Sequence, residues 1–288
     1  MGLDLPVTLL VLLAAAMHAT WNALVKVERD RLAAIALIHG SGAVLGAILV
    51  ALAPPMRLSA WAFLAPSLVL QSVYMGVLLL TYRLGDLSQV YPVARGTAPL
   101  GVVAFSFLSE GRVPPWLEVL GVAAISLGIV SLAWRHRPAA AARPGGAHAW
   151  LPVAYAVGNG LIIAAYTVLD SRGVRSGGSP LAYGGWIFVF YGLPWVVLAL
   201  VRRGWKPFRP EARHWLLLFV AGTLCFCAYV AAVWALSRSA AAPVSALRET
   251  SVIFAALIGT LLLKEPFGPR RVLAATLVAL GVVLIRIG

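Results

Sequence analysis

The sequence predicts an all-α integral membrane protein of ten transmembrane helices, arranged as two inverted five-helix repeats. Composition is the first observation behind this. The chain is 61% hydrophobic and 11% charged, with a mean hydropathy of +0.91, whereas soluble domains run at about 45–50% apolar and about 25% charged. The second is segmentation. Ten apolar runs lie near residues 5–25, 32–53, 61–82, 88–108, 116–134, 151–169, 181–201, 214–236, 242–263 and 271–287, each near the roughly 17–25 residues that a spanning helix needs. None alternates in the manner of a barrel strand. The third is duplication. Arg95 and Thr97 in the fourth run recur as Arg248 and Thr250 in the ninth, and Gly128 recurs as Gly281, each pair 153 positions apart.

The first run, Leu5–Val25, has no basic stretch ahead of it and is long enough to span, so it reads as a retained helix and not as a cleaved signal. His18, Asn22 and Lys26 follow at helical spacing on one face. Lys26 ends the helix and snorkels to the head groups. His18 and Asn22 lie deeper, where they either line a cavity or hydrogen-bond a neighbouring helix and simply hold the bundle. In the second run, Gly42 and Gly46 form a small-xxx-small pair that permits close helix packing. Trp61, Trp116, Trp150, Trp205 and Trp215 sit near run ends, where indole prefers the head-group level.

The fourth run contains Tyr91, Pro92, Arg95, Gly96, Thr97 and Pro99. An Arg inside hydrocarbon costs about 2.5–3.5 kcal/mol on insertion scales and therefore faces a bundle interior or a wet cavity. At 1.5 Å per residue Arg95 lies ~10 Å deep in a core about 30 Å thick, and the prolines loosen the backbone around it. Glu110 and Glu265 each precede a loop and read as interfacial.

The Ala-, Pro- and Arg-rich stretch Arg135–Ala149 divides the runs five and five. The expected organisation is a first repeat over 1–137, a linker over 138–149 and a second repeat over 150–288. An odd number of helices per repeat makes the second copy cross the membrane in the opposite sense, about a pseudo-two-fold axis in the membrane plane.

In the sixth run Tyr166 and Asp170 occupy the places of Asn22 and Lys26, with an offset of 144 and with Asp170 as the terminal charge. Cys225 and Cys227, two positions apart in the eighth run, diverge around a helix and make neither a bridge nor a metal site. The ninth run carries Arg248, Glu249 and Thr250. Glu249 reads as the one carboxylate deep in a run. An Arg brought within about 4–6 Å keeps it ionised as a fixed counter-ion; if a solute takes that Arg instead, Glu249 can bind a proton and couple proton movement to transport.

Enzymatic classes find no support: there is no Ser/His/Asp set and no Gly-rich phosphate loop, and His39, His136, His148 and His214 are scattered. No cofactor or metal is expected. The net charge of +13 lies mostly in short gaps between runs, which suits anionic lipid head groups and not nucleic acid. Gaps after the odd-numbered runs hold 15 Lys and Arg, and the other side holds 6. The positive-inside rule then places both termini outside.

These motifs resemble EamA-type members of the drug/metabolite transporter superfamily. The likeness spans nearly the whole chain as two repeats. It rests on HATWNALVK in run one, QVYPVARGTAPL in run four with Glu110-Gly111 behind it, AAYTVLD in run six and ALRETSVIFAALIGTLLLKEP in run nine. The resemblance implies a ten-helix inner-membrane secondary carrier that works by alternating access, usually outward. Substrates across the family include amino acids, amines, nucleotide sugars and phosphorylated sugars. It also implies cytoplasmic termini, against the charge count.

The expected function is export of a small polar metabolite, anionic or zwitterionic, across a bacterial-type inner membrane. Expected binding residues are Arg95, Arg248, Glu249, His18, Asn22, Tyr91 and Tyr166, with Glu249 the proton-coupling candidate. Partners are the metabolite and membrane lipid, without nucleic acid, in a monomer or dimer. Two rival classes make different demands. A flippase or scramblase for a lipid-linked anion needs an apolar lateral opening beside an arginine. A non-transporting scaffold needs no cavity and fully paired arginines.

Overall fold

An apolar run in lipid has no water to satisfy its backbone, so it closes its hydrogen bonds within itself as a helix. The computed structural model describes residues 3–26, 28, 30–84, 87–111, 114–133, 150–205, 208, 212–263 and 268–288, and every regular element among them is helical. In chain order they are α1 (Leu5–Lys26), α2 (Arg31–Leu52), a 3-10 turn (Leu58–Ala60), α3 (Trp61–Leu84), α4 (Leu87–Glu110), α5 (Trp116–Ser131), α6 (Leu151–Gly177), α7 (Pro180–Arg203), α8 (Ala212–Arg238), α9 (Ala241–Glu249), α10 (Ser251–Leu263) and α11 (Pro269–Ile287). Seven stretches among the described residues are long and apolar enough to cross a membrane. The protein is a multi-pass membrane protein. Three segments fall short for visible reasons: α4 carries Arg95 and two internal prolines, α5 has 16 residues, and α11 carries Arg270, Arg271 and Arg286 within its 19 residues. The linker over 138–149 and residues 264–267, with Glu265, lie outside the described residues, as does the Lys26 side chain.

Two elements depart from expectation. The ninth segment is broken: α9 ends at Glu249 and α10 begins at Ser251. Thr250 makes the break, its Oγ1 donating to the Leu247 carbonyl at 2.6 Å while its own N–H reaches the same carbonyl at 3.2 Å. The tightened turn falls directly after Arg248 and Glu249. The sixth segment does not end at 169; α6 continues to Gly177. There Gly178 adopts φ 72, a conformation that costs glycine little, and Ser179 Oγ accepts from the Ala182 N–H at 3.3 Å ahead of Pro180. That turn returns the chain as α7.

Lipid tails are as apolar as leucine, so helices associate through close packing and small residues. α2 packs on α7 and α5 on α11, while α6 lies against α3 and α4, and α1 against α8, α9 and α10. A Cβ on Gly46 would sit 2.6 Å from the Gly185 carbonyl oxygen, and one on Gly121 would sit 2.7 Å from that of Gly281. Backbone cannot rotate away from such a clash. Gly121→Ala is therefore expected to lower the melting temperature of the purified protein, overpacking costing about 1–3 kcal/mol. Gly76→Ala is the control, because nothing lies within 4 Å of the added carbon, and it should melt at or slightly above wild type.

Arg286 donates to the Leu3 carbonyl, so α1 starts and α11 ends at the same face. An apolar cluster that includes Leu3, Val7, Val11, Val102, Leu236, Val244, Leu247 and Ile285 fills the bundle at that end. The polar residues of the interior begin beyond it.

Candidate functional site

Arg95 sits on α4 where Pro99, four residues on, has no N–H to give the Arg95 carbonyl. Gly160 on α6 lets α4 approach here, since a Cβ at that position would lie 2.6 Å from the Ala94 carbonyl. Arg95 is 8% exposed, and its guanidinium is engaged on three sides. Nη1 donates to Glu249 Oε1 at 3.1 Å, Nε donates to the Tyr91 hydroxyl at 3.3 Å, and Nη2 lies 2.7 Å from His18 Nε2. The Tyr91 ring also lies beneath the guanidinium, 5.4 Å from Cζ to the centroid. Trp21 Nε1 approaches His18 Nδ1 at 3.3 Å. Both ring nitrogens thus face donors; the charged imidazolium has no acceptor for either, and a neutral ring satisfies only one. Glu249 is 2% exposed, and its Oε2 has no hydrogen-bond partner among the described residues.

Arg248 is differently placed. It lines a cavity of about 140 Å³ with Arg95, His18 and His39, room for roughly ten waters. Trp21, Gln71, Tyr74, Tyr166, Tyr191 and Tyr229 complete the polar and aromatic wall. The Arg248 guanidinium lies over the Tyr229 ring at 5.4 Å and has no hydrogen-bond partner among the described residues. His39, buried on α2 between Trp21 and Tyr191, leaves its Nδ1 unpartnered as well.

Beside the cavity lies a second buried carboxylate. Asp170 is 2% exposed and accepts three hydroxyls: Ser67 from α3 at 2.5 Å, Tyr183 from α7 at 3.0 Å and Tyr229 from α8 at 2.8 Å. Gln71, on the cavity wall, donates to Ser67 Oγ at 3.1 Å. Gly173 makes room for the Tyr183 ring, whose hydroxyl would lie 2.6 Å from a Cβ there. Glu249 is therefore not the one deep carboxylate. In the sequence Asp170 stands at the end of a run, with Arg172 and Arg175 after it. Those arginines are instead absorbed by carbonyls of neighbouring elements: Arg172 donates to Ser109, and Arg175 to Leu236 and Ser239.

Of the residues singled out in the sequence, His18, Arg95, Tyr166 and Arg248 line one cavity, and Tyr91 and Glu249 bind Arg95 behind it. Asn22 is not with them. It is exposed, one turn beyond His18, and its Nδ2 donates to the His18 carbonyl at 2.8 Å. Sequence reasoning missed Gln71, Tyr74, Tyr191, Tyr229 and Asp170. The available signal was a hydroxyl, amide or carboxylate in mid-helix, where hydrocarbon gives such a group no partner.

Residues 150–287, just under half of the chain, match the EamA-like transporter family, a domain family of the drug/metabolite transporter superfamily. No curated protein matches. Among solved structures 27 chains match. One of them, a crystal structure described only as that of a protein, aligns with TM-score 0.71 at 16% identity, covering 96% of this chain and 94% of that chain. A likeness at that identity concerns the fold alone.

Proposed function

We propose that this chain, with its EamA-like half at residues 150–287, is a secondary active exporter of a small anionic or zwitterionic metabolite. It works by alternating access between inverted repeats over 1–137 and 150–288, in a bacterial-type inner membrane. The observation that carries the reading is the Arg248 guanidinium in an interior cavity, over the Tyr229 ring and without a hydrogen-bond or ion-pair partner among the described residues. Unpaired charge at this depth is expensive, and a solute anion is the group that offsets it.

The duplication supplies the reason for the vacancy. At an offset of 153, Glu249 stands where the first half has Gly96. The pair of repeats thus provides two arginines and one extra carboxylate. Glu249 neutralises Arg95 and leaves Arg248 free. The packing supports the repeat. Gly121 against the Gly281 carbonyl and Gly128 against the Ala274 carbonyl are one contact with the halves exchanged, at the same offset. Arg95, His18 and Tyr166 form the rest of the binding wall, and Tyr91 holds Arg95 from behind it. Glu249 serves as the counter-ion of Arg95 until a solute anion competes for that arginine; once released it can carry a proton.

A thermal-shift screen of small carboxylates and zwitterions on purified protein tests the reading. Several related compounds should stabilise it; stabilisation by none removes the solute site. Topology is tested separately by fusions at the C-terminus. The charge excess predicts an active alkaline phosphatase and a dark cytoplasmic fluorescent reporter. The reverse result moves both termini to the cytoplasm.

One observation favours the flippase reading as second. A groove of about 290 Å³ between α3 and α7, lined by Leu68, Phe190, Trp195 and Leu198, meets the central cavity at Met75 and Tyr191. A lipid-linked anion would lay its chain there. Scrambling of fluorescent phospholipid by proteoliposomes, without flux of any soluble hit, would favour it. The scaffold reading needs every arginine paired, and Arg248 has no hydrogen-bond or ion-pair partner among the described residues.

A further inference from the structure

We propose that Asp170 is a proton-binding site linked to the solute cavity through Tyr229. Unlike Glu249, Asp170 has no cationic side chain within ion-pair distance among the described residues; hydroxyls alone hold it. A buried carboxylate without a counter-charge is costly in the ionised form, and a proton relieves that cost without moving the chain. Its donors come from three helices, so a movement of one helix against the others changes how many hydroxyls the carboxylate receives.

The link to the cavity is geometric. The Tyr229 hydroxyl donates to Asp170 Oδ2 while its ring carries the Arg248 guanidinium on the cavity side. A second route runs from Asp170 through Ser67 to Gln71, again on the cavity wall. The groups facing Asp170 are thus Ser67 on α3, Tyr183 on α7, Tyr229 on α8 and, across Tyr229, Arg248 on α9. Arg95 on α4 is occupied by Glu249 and His18. On α6 itself, Arg172 and Arg175 are turned to carbonyls elsewhere. A proton on or off Asp170 therefore alters the field in which Arg248 meets a solute. The use of that proton, coupling to transport, rests on the transporter reading; the proton site itself does not.

Infrared titration of the purified, solute-free protein tests the site without a substrate. As the pH is lowered, wild type should develop, separate from the absorption of the exposed carboxyls among its ten Asp and Glu, a protonated-carboxyl band that is missing from Asp170→Asn and kept by Glu249→Gln. Two further variants leave the carboxylate in place, which covers the case in which Asp170→Asn fails to fold. Tyr229→Phe and Arg248→Met should each displace the midpoint of that band, whereas Arg202→Met, at the exposed end of α7, should not. A band that persists in Asp170→Asn overturns the proposal. So does a band lost only in Glu249→Gln, or a midpoint unmoved in both Tyr229→Phe and Arg248→Met. None of these outcomes depends on whether the protein transports anything, so failure here and failure of the transporter reading are separate results.

Discussion

Replacing Arg248 by Leu is expected to abolish transport while leaving a protein that inserts and purifies as one monodisperse species. The two halves of this expectation have different causes. Among the described residues the guanidinium has no hydrogen bond to lose, only its position over Tyr229, so the fold gives up little. A solute carboxylate, in contrast, loses its charge-assisted partner. Such bonds are worth about 1.5–3 kcal/mol, so affinity should fall roughly tenfold to more than a hundredfold. Ligand-induced thermal stabilisation should shrink with it, since it follows the ratio of concentration to Kd. Arg248→Lys should recover part of the binding, because an ammonium keeps the charge without the planar fork. Normal transport by Arg248→Leu would make the arginine structural and remove the anion reading.

Arg95 is expected to behave otherwise, although both arginines look alike in the sequence. Arg95→Leu strips Glu249 of its counter-ion in a site where that carboxylate is 2% exposed. Breaking a buried pair from one side costs about 3–5 kcal/mol, because an uncompensated charge is left behind. The single variants Arg95→Leu and Glu249→Leu should both melt well below wild type or fail to accumulate. The double variant should recover much of the loss, as removal of both charges leaves none stranded. Equal additive losses in the two singles and the double would mean that the 3.1 Å contact between them carries no coupling.

The contrast marks what could be read from the sequence. Helical segments, and an arginine set within an apolar run of each half, are written in the spacing of polar residues along the chain. Which arginine keeps a partner is not. Arg95 and Glu249 lie 154 residues apart, and their meeting depends on how α4 and α9 cross. The same limit hid Asp170. Followed by Arg172 and Arg175, it resembles a loop entrance; instead α6 runs on to Gly177, hydroxyls from α3, α7 and α8 hold Asp170 inside the bundle, and carbonyls of neighbouring elements take up the half-buried Arg172 and the exposed Arg175. Asn22 failed in the opposite sense. It shares the helical face of His18 by spacing, yet its amide satisfies itself on its own backbone, an option that sequence periodicity does not reveal. The break at Thr250 was visible only as a polar cluster, since a threonine in a helix either bonds back to its own turn or faces a neighbour.

The most direct measurement of solute transport at this cavity is counterflow. Proteoliposomes loaded with the strongest stabiliser from the screen are diluted into a trace of the same labelled compound. The predicted result is transient accumulation of label, absent from protein-free liposomes and from Arg248→Leu. Label uptake no greater than in protein-free liposomes, by protein that still binds the compound in the thermal-shift assay, would contradict a carrier role for this protein.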